Sequence, residues 1–131
     1  MDRLFLDANV LFSAAYRSDA GLCRLWELVD VELVTSAYAL AEARVNLQEE
    51  EQRRRLAQLA LSMQTIAGLM PRALPAGVTL RDKDRPILLA AIEARATHLL
   101  TGDMRDFGPY HGKIVEGVLI LPPAAYLHSR P

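Results

Sequence analysis

Two stretches of this chain run alike, each a short apolar segment of strand length that stops at an acid. The first is Arg3-Leu4-Phe5-Leu6-Asp7-Ala8-Asn9-Val10-Leu11-Phe12, where a segment suited to a helix follows at once; the second is His98-Leu99-Leu100-Thr101-Gly102-Asp103. A strand that ends in a carboxylate and turns straight into a helix is the beginning of a parallel α/β unit. In open sheets of that kind ligands bind outside the carboxyl ends of the strands, where helix N-termini converge. Asp7 and Asp103 are therefore expected on one rim.

The length, 131 residues, suits a single domain over 1–131 that buries roughly two-thirds of the surface its unfolded chain exposes. With 51% hydrophobic and 24% charged residues, a compact core is expected and no metal or disulfide staple is needed for folding. Cys23 is the one cysteine, which excludes an intrachain disulfide and a thiolate metal cluster and suits a small core residue in a reducing cytoplasm. There is no basic segment followed by a long apolar one at the N-terminus, and no apolar run near the roughly 20 residues of a membrane span; a cytoplasmic protein without a membrane partner is expected. The net charge of -1 does not announce a nucleic-acid partner. Yet 13 of the 15 basic residues are arginine, the side chain better suited to gripping phosphate with two donors at once.

After the first strand, Leu22, Leu25, Trp26 and Val29 form a helical stripe within Gly21 to Asp30, with Ser18 or Asp19 as its cap. Glu32 to Thr35 reads as a second strand, and Ser36 is placed to cap a helix from Ala37 to Leu47. On that helix Tyr38, Ala41, Glu42 and Val45 share one stripe, which gives Glu42 apolar or small neighbours, while Leu40 and Leu47 lie on the other side. The charge run Glu49-Glu50-Glu51 and Arg53-Arg54-Arg55 reads as a solvated helix face or a turn between helices. Leu56, Leu59, Ala60, Met63, Ile66, Ala67 and Met70 then keep helical spacing and predict one amphipathic helix that ends near Pro71. A loop to Gly77 and a brief extended segment at Val78 to Leu80 lead to Arg81-Asp82-Lys83-Asp84-Arg85-Pro86, where Asp82 or Asp84 precedes a helix that Pro86 helps to start. Short strands over Lys113–Glu116 and Val118–Leu121 and a helix from Ala124 to His128 complete the chain. Strands alternating with helices predict an α/β fold, a mainly parallel central sheet with helices on both faces.

Four acids now stand in comparable places: Asp7 and Asp103 at strand ends, Asp84 at a helix start, and Glu42 on a helical stripe. Gathered in a partly desolvated pocket they repel one another unless a cation compensates. An all-oxygen ligand set selects Mg²⁺ or Mn²⁺ over zinc, and His98, His111 and His128 are too scattered for a zinc site. One such ion, or a pair about 4 Å apart, can generate a hydroxide and stabilise both the attacking and leaving oxygens of a phosphodiester, which is metal-dependent nuclease chemistry. Asn9 and Thr101 are candidates to orient carboxylates, Ser36 serves equally well as a simple cap, and Asp106 is a candidate fifth acid.

Asp7-Ala8-Asn9-Val10-Leu11, Ala41-Glu42-Ala43, Asp84 with Pro86-Ile87-Leu88-Leu89-Ala90-Ala91, and Leu100-Thr101-Gly102-Asp103 with Asp106-Phe107 together resemble the PIN domain family. Their order and spacing run from Leu4 to about Phe107. The resemblance implies a PIN-like α/β/α sandwich whose acidic pocket uses Mg²⁺ or Mn²⁺ to cleave RNA. It implies that Asp7, Glu42, Asp84 and Asp103 are the catalytic and metal-site acids, with Asp84 chosen over Asp82 because it stands at the family's spacing before Ile87-Leu88. Stand-alone, VapC-like members of this size are often the toxins of toxin–antitoxin pairs, homodimeric and silenced by a small antitoxin protein. The expected function is therefore a metal-dependent endoribonuclease; the alternative is a catalytically weak PIN-fold RNA-binding or regulatory module. A haloacid-dehalogenase-type phosphotransferase would want an aspartate where Asn9 stands and a later lysine, and a receiver domain would carry its acceptor aspartate on a middle strand.

Overall fold

The structure, a computed structural model, describes residues 1–68 and 72–130. Six strands form one sheet, β1 (Asp2–Leu6), β2 (Val31–Ser36), β3 (Gln64–Ile66), β4 (His98–Leu100), β5 (Ile114–Val115) and β6 (Val118–Leu121), in the spatial order β3-β2-β1-β4-β6-β5. Every pairing is parallel except the β5–β6 hairpin. Five helices flank it: α1 (Ala8–Tyr16), α2 (Ala37–Asn46), α3 (Glu50–Leu61), α4 (Arg85–Glu93) and α5 (Pro123–His128). Right-handed crossovers carry α1, α2 and α3 over one face as the chain moves from β1 through β2 to β3, and α4 over the other on its return to β4. This is the mainly parallel sheet between helices that the strand–helix alternation predicts.

The reversal of direction falls between β1 and β4, which lie side by side with Leu6 opposite Leu100. Both strands are apolar because both of their faces are covered, and Leu4, Phe5, Leu6, Leu99 and Leu100 are fully buried. The Asp7 backbone N–H still donates to Leu100 O at 3.1 Å, as the Thr101 N–H does to Leu121 O at 3.0 Å. The sheet thus holds its register up to the acid, and the acid-bearing strand ends open on the crevice where the topology switches.

Several elements differ from the sequence expectation. The helix predicted from Leu56 to Met70 stops at Leu61, and Gln64–Ile66 forms the edge strand β3 beside β2; Met70 and Pro71 lie outside the described residues. The charge run is the start of α3, where Glu49 and Gln52 form a reciprocal capping box. The stripe after Gly21 winds as a 3₁₀ turn over Gly21–Glu27 with no side-chain cap, so Ser18 and Asp19 do not cap it. Val29 is left 97% exposed. On α2 the core face is Ala39, Ala43 and the following Leu47, while Val45 is exposed; the Tyr38–Val45 stripe looks out of the core. Residues 78–80 form no strand. Cys23 is half-buried, its thiol donating to Ala14 O at 3.2 Å. Among the described residues no helix is long and apolar enough to cross a membrane.

Candidate active site

A cleft of about 730 Å³ opens at the switch point, and Asp7, Glu42, Asp84 and Asp103 all line it, with Asn9 beside them. Four distant parts of the sequence therefore deliver carboxylates to one space. Asp106 approaches from the same loop as Asp103: one oxygen each of Asp84, Asp103 and Asp106 lies within 4.8 Å of the others.

Each acid is held differently. Asp7 is the N-cap of α1, with Oδ1 accepting from Ala8 N at 2.6 Å, so the helix's positive end faces its charge. Its Oδ2 accepts from the Thr101 hydroxyl at 2.8 Å and from Asn9 Nδ2 at 3.1 Å. Burial nonetheless pushes its pKa above the ordinary carboxylate value; the Thr101 and Ala8 hydrogen bonds pull it back, and the charges of Asp103 and Glu42 add to the rise. Asp103 folds over its own loop, Oδ1 accepting from the backbone of Arg105 at 2.9 Å and of Asp106 at 3.1 Å. Thr101 Oγ also accepts from Asp103 N at 3.1 Å, and Asn9 Oδ1 from Gly102 N at 2.8 Å. Asn9 and Thr101 thus tie the ends of β1 and β4 together around Asp7.

Asp84 stands at the N-cap place of α4 but makes no capping hydrogen bond. Its side chain turns into the cleft instead, 95% removed from solvent by its 5% exposure, and Oδ2 is buried with no donor near it. Burial, then a hydrogen bond that its acid form donates to Asp106, pushes its pKa up to about 7. Asp106 is the opposite case. Arg81 grips it with a two-toothed guanidinium, Nε at 3.1 Å from Oδ1 and 2.9 Å from Oδ2, and Nη2 at 2.7 Å from Oδ2. That fork, with the Asp84 hydrogen bond behind it, holds Asp106 below the ordinary carboxylate range. Glu42 reaches the cleft from α2 and presses on Tyr38, whose hydroxyl donates to Lys83 O at 2.8 Å. Burial first, then the Glu42 carboxylate, pushes the Tyr38 phenol up to about 12.

Ser36 caps α2, its hydroxyl accepting from Ala39 N at 3.1 Å, and does not line the cleft. Asp82 is fully exposed at the surface. The residues that sequence reasoning passed over are the cations of the cleft: Arg81, Lys83 and Arg105. Lys83 Nζ lies 3.9 Å from Asp84 Oδ1. A signal was available, since Arg81 and Lys83 sit within three residues of Asp84 and Arg105 two beyond Asp103.

The donor set is all oxygen, which suits a hard divalent ion. The buried, donorless Asp84 Oδ2 fits that ion as well, because such an atom is costly to leave without a proton or a cation. Asp7, Glu42, Asp84 and Asp103 would hold it.

In its chain trace the protein is similar to a chain of the crystal structure of VapBC2 from Rickettsia felis bound to a DNA fragment from their promoter. The TM-score is 0.61 at 17% identity, over 92% of this chain and 98% of that one. No curated protein matches by sequence. The match that decides the family is to a family model described as PIN domain, which runs over residues 3–105 and so takes in β1 from Arg3, the switch point and all four cleft acids: the chain belongs to the PIN domain family.

Proposed function

We propose that this protein is a Mg²⁺- or Mn²⁺-dependent endoribonuclease whose cation is held by Asp7, Glu42, Asp84 and Asp103, with Asp106 at the edge of the same cluster. We further propose that it is a cytoplasmic, homodimeric toxin silenced by a small antitoxin protein. The observation that carries the enzymatic reading is Asp84 Oδ2, an acid oxygen cut off from water and from every donor beside two further carboxylates. Membership of the PIN domain family and a fold shared with a chain of VapBC2 support the toxin reading. The exposed apolar side chains Val45 and Leu61 on α2 and α3 leave surface for a protein partner.

A divalent ion, when bound, supplies Lewis acidity, making water a nucleophile near neutral pH and offsetting charge that builds on the phosphodiester. The chain's own residues do the positioning. Thr101 and Asn9 donate to Asp7 Oδ2 and Ala8 N to Oδ1, which fixes the carboxylate at the end of β1. The Asp103 loop, closed on its own backbone through Oδ1, leaves Oδ2 without a hydrogen bond among the described residues, on a residue that lines the same cleft. Lys83 and Arg105 on the rim offer donors to the phosphates of an extended strand.

Purified protein incubated with single-stranded RNA and Mn²⁺ should cleave it, and chelation should stop the reaction. Asp103→Asn should lower the rate by on the order of 100-fold or more while its circular dichroism stays that of the parent. Equal cleavage by Asp103→Asn would remove Asp103 from the site, and no cleavage by the parent on any RNA tried would favour the binding-module alternative.

A further inference from the structure

We infer that the groove between α1 and the 3₁₀ turn over Gly21–Glu27 is a nucleobase subsite, where a base close to the phosphodiester at the cleft acids stacks on Tyr16 beside Phe12. The inference rests on the reading of the cleft as a site that cleaves RNA, and adds where the substrate is gripped beyond its reacting phosphate.

The groove, about 390 Å³, is continuous with the acidic cleft, since Phe12, Ser13 and Leu22 line both. Its floor belongs to α1. That helix is capped by Asp7, and Phe12 and Tyr16, four residues apart, are neighbours on the face that lines the groove. At 1.5 Å of rise per residue they lie about 8 Å and about 14 Å along the axis from the acid. A strand that places a phosphate at Asp7 and runs along α1 therefore carries its next nucleotides past these two rings.

The walls suit a flat ring. The Phe12 and Tyr16 centroids are 5.5 Å apart with their planes tilted by 42°, a favourable aromatic pair, so Phe12 braces the Tyr16 ring. Tyr16 nevertheless keeps 51% exposure, which leaves aromatic surface for a second ring. Leu22, half-buried, closes the groove from the 3₁₀ turn. Both walls are set in advance: the Cys23 thiol donating to Ala14 O at 3.2 Å ties the turn to α1, and Gln52 Nε2 donating to Tyr16 O at 3.3 Å ties down the end of the helix. Arg17, exposed and in loose contact with Asp19 at 3.5 Å, adds a positive charge beyond Tyr16. The order along α1 is thus acidic cleft, aromatic slot, cation. A nucleic acid strand alternates in the same way between charged phosphate and apolar base, whereas an apolar protein segment would meet charge at both ends of so short a slot. Aromatic faces beside cations hold single strands without reading sequence, because every base has a face to stack.

The test reads binding by fluorescence anisotropy in EDTA, with two labelled probes: a single-stranded RNA of mixed sequence, and a ribose-phosphate strand of the same length without bases. Tyr16→Leu, which keeps an apolar side chain and removes the ring, should weaken the RNA by about 5-fold to 100-fold and leave the baseless strand unchanged. Tyr16→Trp should bind the RNA at least as tightly as the parent. The salt dependence should be the same in all three, since no phosphate contact is touched. An RNA affinity that Tyr16→Leu leaves intact, or an equal loss on both strands, would overturn the inference while leaving the cleavage reading in place. So would self-association of the parent that Tyr16→Leu abolishes in sedimentation velocity, which would make this face an interface between copies of the chain. A parent that cleaves no RNA in Mn²⁺ would overturn the cleavage reading and this inference with it.

Discussion

Asp84 couples the site to the stability of the fold. In the folded protein it keeps its proton up to about 7, against a model-peptide value of 3.8 that the unfolded chain restores. Between those values the folded state binds more protons than the unfolded one, so metal-free stability falls as pH rises through that window. Asp7, also raised by burial, acts in the same sense. Asp106, held ionised by Arg81, acts in the opposite one: its contribution is present above 3.8 and is lost as pH falls through its lowered value. His98, lowered by burial, contributes nothing where it is neutral in both states and opposes the fold as pH falls below the ordinary imidazole value of 6.5. Comparison with Asp84→Asn cancels the Asp7 and His98 contributions; that of Asp106 changes with its Asp84 partner, but only as pH falls through its lowered value, below the range compared. In chelator, the variant should unfold at higher urea than the parent at about pH 7.5, and the gap should narrow toward about pH 5. A gap that widens on acidification would mean that Asp84 is ionised throughout and that its oxygen is satisfied by a group other than a proton.

Arg3 does for the sheet what Asp84 does for the cleft, joining parts that local sequence cannot bring together. From β1 its Nε donates to Ala94 O at the end of α4 at 2.7 Å, Nη1 to Glu32 on β2 at 2.5 Å, and Nη2 to Gln64 on β3 at 2.6 Å. β3 is three residues long and half-exposed, so this reach across β2 is a large share of what fixes it. Arg3→Ala should cost about 1–3 kcal/mol in urea unfolding and should speed hydrogen exchange at Gln64–Ile66 more than on β1; equal protection there would show that strand pairing alone holds the edge. The same strand marks where the sequence stops being legible. Leu4–Leu6, His98–Leu100 and Val118–Leu121 announce themselves because strands covered on both faces must be apolar throughout. Met63 and Ile66 carry no such mark: both are half-buried and both continue the 3.6-residue spacing of α3, and only β2, thirty residues earlier, draws the backbone into the sheet. Val29 likewise completes a helical stripe on paper and is fully outside the core, because the segment winds as a tighter 3₁₀ turn. The cleft acids are legible because each sits where an element begins or ends or on one helical stripe. The Arg81–Asp106 fork spans two loops 25 residues apart, a pairing that no periodicity encodes.

For the whole molecule, a net charge of -1 conceals a strong separation: the cleft gathers acids on its floor and keeps Arg81, Lys83 and Arg105 about its mouth. An RNA strand approaching the cleft meets repulsion below and attraction at the rim, so its affinity without a divalent ion must come from the rim. Arg81 is tied to Asp106 and is largely neutralised by it, whereas Lys83 has only a loose contact with Asp84 at 3.9 Å. On the proposed function, Lys83 and Arg105 are therefore the expected phosphate donors. Each phosphate contact on a single strand releases counterions worth a slope of about 0.7 in log affinity against log salt. In EDTA, where a chelated enzyme leaves the RNA intact, fluorescence anisotropy should give a salt slope for the Lys83→Ala and Arg105→Ala double variant that is shallower than the parent's by roughly 1.4. Arg81→Met should change that slope little, since it removes a cation already spent on the chain's own acid. A parent slope unchanged by the double variant would place the strand elsewhere on the surface and would detach the acidic cleft from RNA.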